Sequence, residues 1–104
     1  MTTIIAAGYV VYNAEAIWGT GATADEAWED FRSEMGRAGI SVLTADQEVG
    51  EQLGSWTREK DYTIRPATDG LLAEVEARGG GDVAWDVVSG VACTIQEAYE
   101  VAAR

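Results

Sequence analysis

Four threonines divide this chain. Thr23, Thr44, Thr68 and Thr94 each stand directly before a run with helical apolar spacing. A threonine in that place accepts a hydrogen bond from a first-turn N–H that has no partner inside the helix. Glu26, Gln47 and Glu97 lie three residues after Thr23, Thr44 and Thr94, the reciprocal half of a capping box. Helices are therefore expected to begin at all four places, and the stretches between them must supply strands and turns.

The helix after Thr23 is the best defined. Ala24, Ala27, Trp28, Phe31, Met35 and Ala38 fall on one face at helical spacing, and Gly36 and Gly39 offer stops. The helix after Thr44 is limited to about ten residues by Gly50 and Gly54. The one after Thr68 carries Leu71, Leu72 and Val75 and ends at Gly79-Gly80-Gly81. The last uses Ile95, Ala98, Tyr99 and Ala102 as its packing face.

Residues 3–12, rich in β-branched and aromatic side chains, read as a covered strand. Asn13-Ala14-Glu15 turns the chain into a second strand over Ala16–Ala22, where Gly19 and Gly21 mark a bulge or a close backbone approach. Ile40–Leu43 is a short extended or packing segment, and Ser55–Asp61 is polar with Trp56 isolated inside it. Tyr62–Arg65 reads as a strand closed by Pro66, and Val83–Val88 with Val91–Cys93 as a hairpin around Ser89-Gly90. The expectation is one α+β domain over residues 1–104, with a mostly antiparallel sheet and helices on one face, in the order ββα(α)βαββα. Thr23–Glu29 and Thr94–Glu100 also share a T-x-x-E-A-aromatic-E pattern, each after a hairpin, either the trace of a duplicated ββα unit or the same helix-start chemistry selected twice.

Composition excludes several functions. The chain has 18 acidic and 7 basic side chains, a net charge of −11, no histidine and one cysteine. A basic nucleic-acid binder is excluded by the sign of that charge. Zinc sites of His and Cys, histidine acid–base chemistry and disulfide scaffolds are excluded with it. Cys93, among small apolar neighbours, reads as a buried, inert thiol, which fits a reducing compartment or simple indifference to redox. No targeting signal is visible, and the longest apolar stretch is too short to cross a bilayer, so the cytoplasm is the expected location. Catalytic motifs are absent too: there is no P-loop, nucleophile elbow or metal-binding spacing, and the glycines before Thr23 lead into an acidic first turn. A non-enzymatic protein without cofactor or metal is expected.

The acid is unevenly placed. Between residues 25 and 51 eight carboxylates face two arginines, a net of −6. On the first helix Asp25/Glu29, Glu26/Asp30 and Asp30/Glu34 are like-charged neighbours one turn apart, together costing about 1 kcal/mol. A helix selected for stability alone would intersperse lysines. Asp25, Glu29, Asp30 and Glu34, with Asp46, Glu48 and Glu51, are therefore the candidate surface for a basic protein partner, which would be steered by charge and weakened by salt. Trp28, Trp85 and Trp18 read as core, whereas Trp56, near Arg58 and Lys60, is the candidate interface anchor, with satellite packing as the alternative. The plain alternative is that the acids serve solubility.

Residues 4–38, a hairpin followed by Gly21-Ala22-Thr23-Ala24-Asp25-Glu26-Ala27, resemble the ββα half of HicB-type antitoxins, whose second strand runs into a G-x-T-x-x-E-A helix start. HicB-type proteins usually add a DNA-binding module, and residues 39–104 carry no basic recognition helix. In size, acidity and lack of enzyme motifs the chain is similar to the anti-CRISPR proteins of phages and mobile elements, a functional class without a common sequence. That resemblance implies an inhibitor that blocks a CRISPR-Cas effector without contacting nucleic acid or membrane itself. An antitoxin-like partner of a small toxin, or an orphan ligand-binding domain, are the other readings.

Overall fold

The computed structural model describes residues 4–44, 47 and 54–103. Strands β1 (Gly8–Tyr12), β2 (Ile17–Gly21), β5 (Thr63–Ala67), β6 (Trp85–Val88) and β7 (Val91–Thr94) form one sheet in the order β2-β1-β5-β7-β6. Every neighbouring pair is antiparallel except β5–β7. Strands β3 (Ile40–Leu43) and β4 (Ser55–Arg58) make a separate parallel pair, and a 3₁₀ turn at Glu59–Asp61 follows β4. Helices α1 (Ala24–Arg37), α2 (Asp69–Arg78) and α3 (Ile95–Ala102) complete the chain, which is an α+β fold.

Helices cover both faces of the sheet, which corrects the expectation of one helical face. Alternation along β1 shows why. Val10 packs with Ala67, Leu71, Val83 and Ala92 on the α2 side, whereas Val11 packs with Ala27, Phe31 and Met35 on the α1 side. A strand apolar on both faces needs cover on both. α1 reaches β2 closely because Gly19 and Gly21 lack side chains: a Cβ on Gly19 would stand 2.6 Å from the Ala27 carbonyl oxygen. β1 and β2 also slip register between Val11 and Tyr12, leaving Trp18 as the extra residue.

Three of the threonine starts are seen. The hydroxyls of Thr23, Thr68 and Thr94 accept from the N–H of Glu26, Leu71 and Glu97. At Thr44 only the first bonds lie within the described residues: Gln47 Oε1 accepts from the Thr44 N–H, and the rest of that expected helix lies outside them. Only Thr94 and Glu97 form a full reciprocal box, because Glu26 reaches past Thr23 to the N–H of Ala22. The two hairpins also insert into the sheet oppositely, the first with its leading strand inward and the second with its trailing strand inward.

Two strands depart from expectation. Within Ser55–Asp61, a polar stretch given no strand, Ser55–Arg58 forms β4, because pairing with Ile40–Leu43 supplies the hydrogen bonds its polar sequence does not advertise. β5 continues through Pro66 to Ala67. The Thr68 N–H donates to the Ala92 carbonyl at 2.9 Å, so by alternation the nitrogen of Pro66 faces β7 as well. Lacking a donor there, β5 meets β7 only at Ala67–Ala92.

α3 is turned over relative to its sequence pattern. Ile95 and Tyr99, expected inside, are 43% and 74% exposed, and Ala102 beside them is exposed too. Glu97 explains this. Its Oε1 accepts from the Thr68 hydroxyl at 2.7 Å and from the Thr94 N–H at 2.9 Å, fastening the start of α3 to the start of α2. At roughly 100° per residue Glu97 lies about opposite the Ile95–Tyr99–Ala102 stripe, so holding Glu97 inward turns that stripe outward. Burial pushes the Glu97 carboxyl up, but hydrogen bonds from Thr94 and Thr68 outweigh it and hold the group below its ordinary value. Cys93 is fully buried, as expected, and burial pushes its thiol up.

Candidate functional site

The carboxylates of α1 separate into groups with different work. Asp25 and Glu29 stand one turn apart on the exposed face, and no Lys or Arg forms an ion pair with either among the described residues. Asp30 is turned inward: its Oδ2 accepts from the Thr20 N–H at 2.9 Å. Glu26 Oε2 accepts from the Ala22 N–H at 3.0 Å. Glu34 pairs with Arg37 one turn later. Asp46, Glu48 and Glu51 lie outside the described residues.

These bonds close the outer side of β2. Its outward N–H groups would otherwise template another strand. Thr20 and Ala22 are met by α1 carboxylates, and the Ile17 N–H donates to the Gly80 carbonyl at 3.1 Å. Gly79-Gly80-Gly81, read from sequence as a stop after α2, is thus also a strap laid on the strand edge. Gly79 has a φ of 82°, and a Cβ on Gly80 would collide with the Ile17 carbonyl.

Between α1, α2 and this strap runs a groove of about 610 Å³. Ile17, Leu72 and Val75 contribute apolar wall, and Asp30, Glu34 and Glu76 contribute carboxylates from two helices. Glu76 and the strap were not singled out in the sequence. The triple glycine was the available signal, but its role depends on β2, some 60 residues earlier in the chain. Such a groove suits a cationic group on an aliphatic stem, which lays its carbons on the wall and keeps its charge at the rim.

Trp56 sits in β4, paired with Ser41, and is 42% exposed. The Arg58 guanidinium lies 5.3 Å from its ring centroid. Arg32 of α1 meets Glu59 at 3.6 Å, so the turn after β4 is tied to α1 on the side away from the groove. Trp18 is half-buried and donates its Nε1–H to Asn13 Oδ1 at 2.9 Å, Trp28 packs edge-on to Phe31, and Trp85 edge-on to Tyr12. Among the described residues no helix is long and apolar enough to cross a membrane. No protein family, curated protein or solved structure matches the chain.

Proposed function

We propose that this protein is a non-enzymatic inhibitor that binds a basic, nucleic-acid-handling protein through the acidic flank of α1, after the manner of the anti-CRISPR class it resembles. The observation that carries the reading is the exposed pair Asp25 and Glu29, which have no counterion among the described residues. Neither carboxylate bonds the fold, unlike Glu26 and Asp30 on the same helix. Charges that make no bond to the fold and repel each other are available to a Lys/Arg-lined surface that ordinarily holds phosphates. Glu34 lies on another side of α1, paired with Arg37 and lining the groove with Asp30 and Glu76, so the groove is a separate acidic site. Trp56 lies in β4, whose following turn is tied to α1 by the Arg32–Glu59 pair, and is a candidate apolar anchor for the same partner.

The test is a binding and cleavage assay against purified, guide-loaded CRISPR effector complexes, using the wild type and Asp25→Lys/Glu29→Lys. The reading expects inhibition by the wild type, affinity lowered at least about tenfold by the double reversal, and further weakening as salt rises. Asp30 is left intact so that its bond to the Thr20 N–H is kept, and circular dichroism and a urea midpoint check that the variant folds. Binding that is indifferent to both the reversal and salt refutes the acidic flank. Failure of every effector to bind refutes the inhibitor reading.

A further inference from the structure

The two edges of the five-stranded sheet are treated differently. The β2 edge is closed by Asp30, Glu26 and Gly80, as described above. Among the described residues the β6 edge is open. Ser89 and Gly90 both have positive φ, 54° and 80°, so the hairpin turns in two residues and Val88 pairs narrowly with Val91. Alternation then directs the backbone groups of Trp85 and Val87 away from β7. Among the described residues, the Val87 N–H meets only Oδ1 of Asp86, its exposed neighbour, at 2.7 Å. A side chain so placed can swing away when a better acceptor arrives.

Beside this edge α3 packs on β6 and β7 and holds Ile95, Tyr99 and Ala102 toward solvent. The stripe is outward because Glu97 is bonded inward, so its exposure follows from a specific anchor. Among the described residues, an open strand edge and an unpartnered apolar stripe on the helix packed beside it thus occur at the end of the sheet opposite β2.

We propose that the β6 edge and the outward stripe of α3 form one docking surface for an extended, basic segment of a protein partner, which adds as a strand beside β6. Main-chain bonds to Trp85 and Val87 would supply the attachment, with apolar side chains of the segment settling on Ile95 and Tyr99. Charge selects the occupant. Residues 82–103 contain Asp82, Asp86, Glu97 and Glu100 and no Lys or Arg, so a lysine- or arginine-bearing strand is attracted where a second copy of this −11 chain is repelled. The surface is distinct from the α1 flank and does not depend on it.

The probe is an acetylated, amidated heptapeptide alternating lysine and valine, titrated into the full chain with backbone amides followed by NMR. Glutamate replaces lysine in the control peptide. The lysine peptide is expected to shift the amides of β6 and α3 and to slow hydrogen exchange at Val87. Val87→Pro removes the outward N–H without touching the β6–β7 ladder, and is expected to lower affinity at least about tenfold. Ile95→Ser/Tyr99→Ser, which leaves the strand intact, is expected to do the same. Asp25→Lys/Glu29→Lys is expected to leave peptide binding at β6 within about twofold, which separates this surface from the one proposed for function. The proposal is overturned by shifts confined to α1, by equal binding of the glutamate peptide, or by no binding. It is also overturned by a concentration-dependent dimer that protects the Val87 amide without peptide, since the occupant is then a second copy.

Discussion

Asp30 Oδ2 on α1 accepts a hydrogen bond from the backbone N–H of Thr20 on β2 at 2.9 Å. A side chain expected on an acidic outer face is instead a plug for the open side of an edge strand. Asp30→Ala leaves that half-buried donor without its protein acceptor and is expected to lower stability by about 1–3 kcal/mol. Asp30→Asn keeps an acceptor oxygen and should lose less. Urea midpoints order the three proteins, and hydrogen exchange at the Thr20 amide checks the cause; equal midpoints and equal exchange would contradict it.

The junction at Glu97 makes a pH prediction. Its folded-state carboxyl titrates below the ordinary glutamate value of about 4.3. The folded state therefore holds the proton more weakly than the unfolded chain. The stabilisation is fully present above the unfolded pKa and is lost as pH falls through the folded one. Wild type should exceed Glu97→Gln in urea midpoint near neutrality, and the gap should close on acidification below about pH 4. A gap that is constant with pH would show that the carboxylate charge is not involved.

Gly80 is expected to tolerate no side chain. In Gly80→Ala the new methyl group meets the Ile17 carbonyl, and the strap must lift, breaking the Ile17 N–H bond to Gly80. The expected loss is about 1–3 kcal/mol, read as a lowered melting temperature. Gly81→Ala, with nothing within 4 Å of its Cβ position and no positive φ, is the control and should be close to neutral.

Cys93 should be unreactive while the chain is folded. The thiol is fully buried and its ionisation is disfavoured by burial first and then by the nearby charges of Glu97 and Asp86. A disulfide-exchange reagent is expected to label it slowly in buffer and stoichiometrically in denaturing urea. Rapid labelling of the folded protein would contradict the burial.

Local chemistry was legible in the sequence where a few neighbouring residues settle the outcome. Thr68 and Thr94 announced their helices because the acceptor and its N–H are three residues apart. Ser89-Gly90 announced its hairpin because positive φ at two consecutive positions nearly specifies the turn. The α1 core stripe was legible for the same reason: Ala27, Phe31 and Met35 recur at the helical period and are all buried. Strand β4 was not, because Ser55-Trp56-Thr57-Arg58 becomes a strand only through a partner 15 residues earlier.

The candidate site divides along the same line. That α1 carries surplus acid is a property of composition and spacing, and no packing could hide it. Which acids remain available is a property of tertiary structure, since Asp30 meets Thr20 from ten residues away and Glu97 meets Thr68 from 29 away. Periodicity places Ile95, Tyr99 and Ala102 on one stripe, but it cannot say whether the stripe faces in or out. A hydrogen bond between two helix starts turns α3, and two α1 carboxylates with the Gly80 carbonyl close one sheet edge while the other, among the described residues, stays open. Bonds of that kind join segments distant in the chain, so the pattern within any one segment does not contain them.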